Sequence, residues 1–280
     1  MESAAIVLAG GASSRMGQPK AALDWHGSTL LARVTGLARR AVSGPVIVVR
    51  APGQPLPALH SAVEVVADAR EGRGPLQGLA AGLHAVGRRA DVAYVSSTDV
   101  PLLHPAFIGR VLGGFADGVD VVLPEVGGFR QPLSAGYRVS LLPNVEALIA
   151  ADKLKPAFLF EHCRVLRLDD DAMLAAPDLA AGDPGLMSVR NLNEREDYER
   201  ALALPAPEVI VRLFGALARD RTRRVIPARG WTLGAVAAAI GLPLDRHVVA
   251  VLNGDQITRD HELPLATGDE VAFMAADAGG

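Results

Sequence analysis

The stretch Leu8-Ala9-Gly10-Gly11-Ala12-Ser13-Ser14-Arg15-Met16-Gly17-Gln18-Pro19-Lys20 carries residue types that could handle an anion. Glycines without a Cβ let backbone N–H groups come close to an anion, and successive N–H groups form a nest for phosphate. Arg15 adds a planar fork for phosphate oxygens, and Lys20 adds a point charge. The loop is not a Walker A motif, because the Gly-Lys-Ser/Thr ending is missing. It is not a Rossmann fingerprint either, because the G-x-G-x-x-G spacing fails. At the other end of the chain stand Gly279-Gly280. Two trailing glycines are either a frayed end, where change is tolerated, or a chemical device.

The elements around the loop say where it must sit. Ala4 to Ala9 reads as a buried strand, and the loop follows it directly. Ser28 can cap a helix from Thr29 to about Ala41. Val46 to Arg50 and Val63 to Ala67 read as strands, with a proline-rich loop from Ala51 to Pro57 between them. Leu76 to Val86 carries a helical apolar stripe. Val92 to Ser96 and Val119 to Leu123 are again strands. Alternation of continuous apolar strands with helices predicts an α/β domain with a mainly parallel, Rossmann-like sheet covered on both faces. Ligands on such sheets bind at the carboxyl ends of the strands. That rule selects Gly10 to Lys20 and Ser97 to Leu103, each just past a strand.

Composition removes several function classes. The chain has 280 residues, half of them hydrophobic (50%), and a formal net charge of -3, which gives no sign of a nucleic-acid surface. No apolar run reaches the ~18 residues of a membrane span. Its start, with Glu2 and a short apolar run, reads as a buried strand rather than as a signal peptide. Cys163 is the single cysteine, so no internal disulfide forms and no zinc site is built from thiols; it reads as a small hydrophobe. The histidines have no ligand spacing. A cytoplasmic protein is expected.

Leu-Ala-Gly-Gly-x-x-Ser-x-Arg-Met-Gly-x-x-Lys resembles the signature of nucleotidyltransferases, most closely the molybdenum cofactor guanylyltransferases. The resemblance continues through Asp68 and Gly74-Pro75-Leu76-Gln77-Gly78-Leu79, which in that family line the nucleobase pocket. It includes Thr98-Asp99-Val100-Pro101, whose aspartate binds magnesium there. It then takes in Arg130-Gln131-Pro132-Leu133 with Tyr137, a substrate-side segment, and Asn191-Leu192-Asn193. The likeness spans residues 1–203. It implies GTP and a molybdopterin-type cofactor as substrates, with Mg²⁺ held by Asp99. It also implies catalytic roles for Arg15, Lys20 and Asp99, and nucleotide binding by Leu8, Ala9, Gly10, Gly11, Lys20, Asp68, Gly74, Pro75, Leu76 and Asp99. Arg130, Gln131, Pro132, Asn191 and Asn193 fall on the acceptor side.

In that family a terminal phosphate on molybdopterin attacks the α-phosphorus of GTP. A phosphate monoester has its second pKa near about 6 and is mostly ionised at neutral pH, so no general base is needed. In-line positioning and charge neutralisation are needed instead. A neighbouring family transfers CMP to the same pterin, usually with Leu-Ala-Ala-Gly and without Gly-Pro-Leu. Gly11 and Gly74-Pro75-Leu76 align this chain with the guanine type, and a CTP-using enzyme is the alternative. Asp68 could accept from guanine N1–H and the N2 amine, a pair cytosine does not present.

Leu204-Pro205-Ala206-Pro207-Glu208 reads as a stiff linker, residues 204–208. Beyond it, residues 209–280 read as a small α+β domain: strands at Val209 to Phe214 and Arg223 to Pro227, a helix from Thr232 to Ile240, and strands at Val248 to Leu252 and Glu270 to Met274. This half resembles the ubiquitin-like (β-grasp) sulfur carriers, either the molybdopterin synthase small subunit or the thiamine sulfur carrier. The residues that carry the likeness are Val211-Arg212-Leu213-Phe214-Gly215, Asn253-Gly254, Gly268-Asp269-Glu270-Val271 and Gly279-Gly280. It implies a terminal thiocarboxylate on Gly280, and an adenylating enzyme and the molybdopterin synthase large subunit as partners. A docking or regulatory module with an idle tail is the alternative. Nucleic acid and membrane are not expected partners.

Overall fold

The computed structural model describes residues 1–10, 19–68, 74–218 and 224–276. The chain divides into two compact units, Met1–Leu202 and Ala203–Gly280.

The first unit runs β1 (Ser3–Leu8), β2 (Asp24–Trp25), β3 (Ser28–Thr29), α1 (Leu30–Arg39), β4 (Val46–Arg50), β5 (Val63–Ala67), α2 (Pro75–Val86), β6 (Val92–Ser97) and α3 (Pro105–Leu112). It continues through β7 (Val121–Val126), β8 (Phe129–Arg130), β9 (Ser134–Arg138), α4 (Leu142–Ala150), α5 (Pro156–Phe160), β10 (Val165–Leu168), α6 (Asp170–Leu174), α7 (Pro177–Gly182) and α8 (Arg195–Leu202). The main sheet has the order β10-β7-β9-β6-β1-β4-β5, with β8 paired to β7. β6, β1, β4 and β5 are mutually parallel, as are β7 and β10. β9 runs antiparallel to both of its neighbours. The sheet is therefore mainly parallel, with β9 reversed inside it and the short β8 antiparallel to β7.

Both faces are covered, which is why the central strands read as unbroken apolar runs. Ala4 and Ile6 of β1, Ile47 and Val49 of β4 and Ala93 and Val95 of β6 pack in one core with α2 and α4. The alternate residues Ala5, Val7, Val46, Val48 and Tyr94 are also buried. α1 and α3 lie against the sheet and against each other. They bury Leu30, Leu31, Val34 and Leu37 from α1 and Phe107, Ile108 and Val111 from α3.

The start of α1 differs from the sequence expectation. Thr29, not Ser28, is its cap, with Oγ1 accepting from Ala32 N at 3.2 Å. Ser28 is drawn into the β2–β3 hairpin, opposite Trp25.

In the second unit, β11 (Glu208–Leu213), β12 (Arg224–Arg229), α9 (Leu233–Ala239), β13 (Val248–Leu252), β14 (Gln256–Thr258) and β15 (Glu270–Ala275) form a sheet of order β12-β11-β15-β13-β14. β11 and β15 are parallel at its centre, and the other pairings are antiparallel. Glu208, placed by the sequence reading in the linker, is already the first residue of β11. Leu233, Val236 and Ala237 of α9 pack with Val211, Ala250, Val271 and Phe273 in a core separate from that of the first unit.

One close approach sets how α2 lies on the sheet. A Cβ on Gly82 would stand 2.5 Å from Ile6 Cγ2 and 2.9 Å from Ile6 Cδ1. Gly82→Ala gains about 1 kcal/mol of helix propensity. Against a fully buried β1 side chain it meets an overpacking penalty of about 1–3 kcal/mol. A net loss of up to about 2 kcal/mol is expected, read as a lower urea midpoint at unchanged slope. Because Cγ2 is the nearest atom, Gly82→Ala combined with Ile6→Ala should cost less than the sum of the two single losses. A midpoint at or above wild type for Gly82→Ala would show that α2 has room to lift.

Candidate active site

The first unit's sheet reverses its order of assembly beside β1. From β1 the chain builds outward through β4 and β5, then returns to lay β6 on the other flank. Connections at such a switch point diverge and leave a crevice at the carboxyl ends of the strands. β1 and β6 are in register with Leu8 opposite Ser97, so the segments leaving them start side by side.

Two charged side chains meet in that crevice. Lys20 Nζ lies 2.7 Å from Asp99 Oδ2, and the side chains are only 22% and 15% exposed. Asp99 Oδ1 is buried and has no hydrogen-bond partner among the described residues. A buried carboxylate oxygen without a donor is unfavourable unless a cation or ligand takes it. This half-satisfied carboxylate therefore fits a metal ion. Among the described residues no three His, Cys, Asp or Glu side chains come together as a ligand group. That suits a cation held by one carboxylate together with substrate phosphates, a common arrangement for Mg²⁺.

Backbone contacts fix Asp99 from several sides. Thr98 Oγ1 donates to Leu8 O at 3.1 Å. Leu192 N donates to Asp99 O at 2.9 Å. Buried Arg33 of α1 donates through Nε to Pro101 O at 2.6 Å. Ser97 Oγ lies 3.4 Å from Asn191 Oδ1, and Asn193 Oδ1 accepts from Lys20 Nζ at 3.5 Å. The Asn191-Leu192-Asn193 segment thus belongs to the same constellation as Asp99, although almost a hundred residues separate them in sequence.

Lys20, Ser97, Thr98 and Asp99 line a cavity of about 750 Å³, within the usual size of a small-molecule site. Leu8, Ala9 and Gly10 at the end of β1 line it, as do Asp68, Gly74 and Pro75. So do Arg130, Gln131 and Pro132, together with Asn191 and Asn193. Gly74 has φ +82°, a conformation that favours glycine, and Pro75 then opens α2. The first-turn amides of α2 consequently begin at the cavity wall. Tyr137 is buried and does not line the cavity. Its Oη donates to Pro132 O at 2.8 Å and holds the Arg130–Pro132 segment in place.

Leu76 is placed differently from its neighbours. It is fully buried in the core beneath α2 and is not a wall of the cavity. Gly11, Arg15, Gly279 and Gly280 lie outside the described residues. Arg50, Ala51 and Ser134 also line the cavity and carried no motif of their own, and Thr98 of the Asp99 motif lines it too. Gln54 was missed as well. Its Nε2 donates to Ala9 O at 2.9 Å and its Oε1 accepts from Ala51 N at 3.0 Å, pinning the proline-rich loop against the end of β1. No sequence signal marks that contact. Cys163 is half-buried, and burial pushes its thiol up to about 11, so it stays protonated and is no nucleophile at neutral pH.

The comparisons with known proteins point the same way. The family model described as a MobA-like NTP transferase domain matches residues 5–165, entirely within the first unit. A molybdenum cofactor guanylyltransferase of Desulfosudis oleivorans is 31% identical over 199 residues, covering 71% of this chain and 93% of its own length. A probable molybdenum cofactor guanylyltransferase of Bacillus cereus strain Q1 is 29% identical over 200 residues, covering 71% of this chain and 94% of its own. A crystal structure of molybdopterin-guanine dinucleotide biosynthesis protein A from Archaeoglobus fulgidus superposes with a TM-score of 0.56 at 22% identity, covering 71% of this chain and 96% of that one, which establishes the shared fold. With a strand-end cavity, a Lys–Asp pair at its mouth and relatives of this kind, the chain is a nucleotidyltransferase and belongs to the MobA-like NTP transferase family.

Proposed function

We propose that the first unit transfers GMP from GTP to the terminal phosphate of a molybdopterin-type acceptor and releases pyrophosphate. The observation that carries the reading is the Lys20–Asp99 pair, whose second carboxylate oxygen has no hydrogen-bond partner among the described residues, lining a cavity of nucleotide size. The printed names of the 31% and 29% identical relatives support guanine and the pterin acceptor.

Each residue has a defined task in this reading. Asp68 accepts from guanine N1–H and the N2 amine, while Gly74 and Pro75 bring the start of α2 against the base. Lys20 neutralises phosphate charge, and Asp99 holds Mg²⁺. When bound, the metal neutralises the charge that accumulates on the transferring phosphoryl group. Arg130, Asn191 and Asn193 orient the acceptor. One acceptor phosphate oxygen forms a bond to the α-phosphorus of GTP as the bond to the β-phosphate bridging oxygen breaks, and the electron pair leaves with pyrophosphate. The acceptor phosphate is already ionised at neutral pH, so the reaction depends on alignment rather than on a base.

Asp99→Asn keeps the shape of the side chain but weakens its hold on a cation. Lys20→Met keeps the stem and removes the charge. Each should lower the rate of pyrophosphate release at least about 100-fold, with far-ultraviolet circular dichroism unchanged. Activity surviving both substitutions would discard this site. Turnover with GTP should exceed turnover with CTP, and Asp68→Asn should narrow that margin. Faster CMP transfer by the wild type would overturn the guanine assignment.

We further propose that the second unit is a β-grasp sulfur carrier of the molybdopterin synthase type. Its support is the sheet order, with the first and last strands parallel at the centre and α9 packed on one face, together with the likeness of its sequence to such carriers. The reading requires a free carboxylate at Gly280, which an adenylating enzyme activates before sulfur is added, and the molybdopterin synthase large subunit as the receiver. Intact mass spectrometry after incubation with ATP, a sulfur donor and the adenylating enzyme should show one carboxylate oxygen replaced by sulfur. An unmodified chain under conditions that convert a known carrier would leave this unit as a docking module.

A further inference from the structure

Outside the cavity, a buried carboxylate holds the backbone on which the site is built. Asp183 follows α7 and is 6% exposed. Its Oδ1 accepts from Met187 N at 2.7 Å, and its Oδ2 accepts from Ser188 N at 2.9 Å and Ser188 Oγ at 2.6 Å. Two of these bonds cap the short turn Met187–Val189, and a cap alone would be an ordinary structural role. The third reaches further. Ser188 is fully buried, and its single hydroxyl proton goes to Asp183. Its lone pairs are then left for another donor, and His104 N supplies it at 2.9 Å.

That bond ties the far end of the Asp99 loop to the segment carrying Asn191 and Asn193. The near end is tied by Leu192 N on Asp99 O, at 2.9 Å. The stretches 99–104 and 188–192 are therefore bracketed by two rungs. The fit at the outer rung is tight. A Cβ on Gly182 would stand 2.5 Å from His104 Nε2, and the imidazole is held because Nδ1 accepts from Ala106 N at 3.1 Å. Asp183 is not among the residues that line the cavity.

We propose that Asp183 is a positioning residue for nucleotidyl transfer. Through Ser188 it sets the Asp99 loop against Asn191–Asn193, and so fixes how Lys20 meets the Asp99 carboxylate and the Asn193 amide. The inference rests on nucleotidyl transfer taking place at Asp99, and it is independent of which base is read.

The test compares Asp183→Asn, Ser188→Ala and the double variant in the full chain. kcat and KM are measured with whichever nucleoside triphosphate the wild type turns over fastest, alongside thermal midpoints. Misplacement of the site should lower kcat on the order of 10- to 100-fold, with KM for the nucleotide within about threefold. The double variant should be no slower than the slower single, because both act through one chain of bonds. Should Asp183→Asn fail to fold, Ser188→Ala decides, since it removes one hydroxyl and leaves the capping carboxylate in place. A kcat within about twofold of wild type for Ser188→Ala would overturn the proposal, as would losses that add in the double variant. A lowered midpoint with kcat intact would also overturn it and leave Asp183 as a cap. A wild-type preference for CTP would strike only the guanine assignment, because the ratio of variant to wild type remains readable.

Discussion

The Lys20 ammonium on the Asp99 carboxylate is the contact around which the first unit is arranged. The two residues are seventy-nine positions apart, and only the parallel pairing of β1 with β6 brings their loops to one place. Charges this close in a partly covered crevice interact more strongly than in open water, because surrounding protein lowers the effective dielectric. Lys20 nevertheless satisfies one oxygen only. Asp99 Oδ1 remains buried without a described donor, a state a folded protein tolerates mainly where a ligand is to complete it. The pair thus holds the Asp99 carboxylate in position.

The scaffold under this contact is stiff where it must be. Strands buried on both faces and a helix seated closely over Ile6 leave little freedom to β1, β4 and β6. The groups that meet the cavity sit on the connections that follow these strands, and a rigid sheet with variable loops is the usual division of labour in such folds. The second unit repeats the logic on a smaller scale. Its sheet packs on α9 with a core of its own.

Much of this was legible in the sequence, for a physical reason. Central strands covered on both faces must be apolar at every position, and runs such as Val46 to Val49 announce themselves. β9 was not legible, because Ser134-Ala135-Gly136-Tyr137-Arg138 has no such run; its neighbours make it a strand. β14 spans only Gln256–Thr258, too short for any periodicity. Ser28 and Thr29 are both good caps, and only the hairpin to Asp24–Trp25 decides between them. Leu76 shares a motif with Pro75, yet one helical step of ~100° turns it from the cavity to the core. Gln54, Ser188 and Asp183 act through contacts between distant segments, which no local pattern encodes.

The chemistry of the site explains where its sensitivity lies. Cys163 stays protonated, and His104 uses its imidazole to cap α3, so neither offers a nucleophile or a free base at the cavity. In the reading proposed above, an ionised phosphate acceptor would require neither. When no proton needs moving, rate depends on how precisely opposite charges and backbone donors are aimed. Precision of that kind is set by the groups that hold loops at fixed distances, not only by those touching substrate. In the reading proposed above, the buried bonds from Asp183 to Ser188 and from Ser188 to His104 would act on rate through the placement of the Asp99 loop.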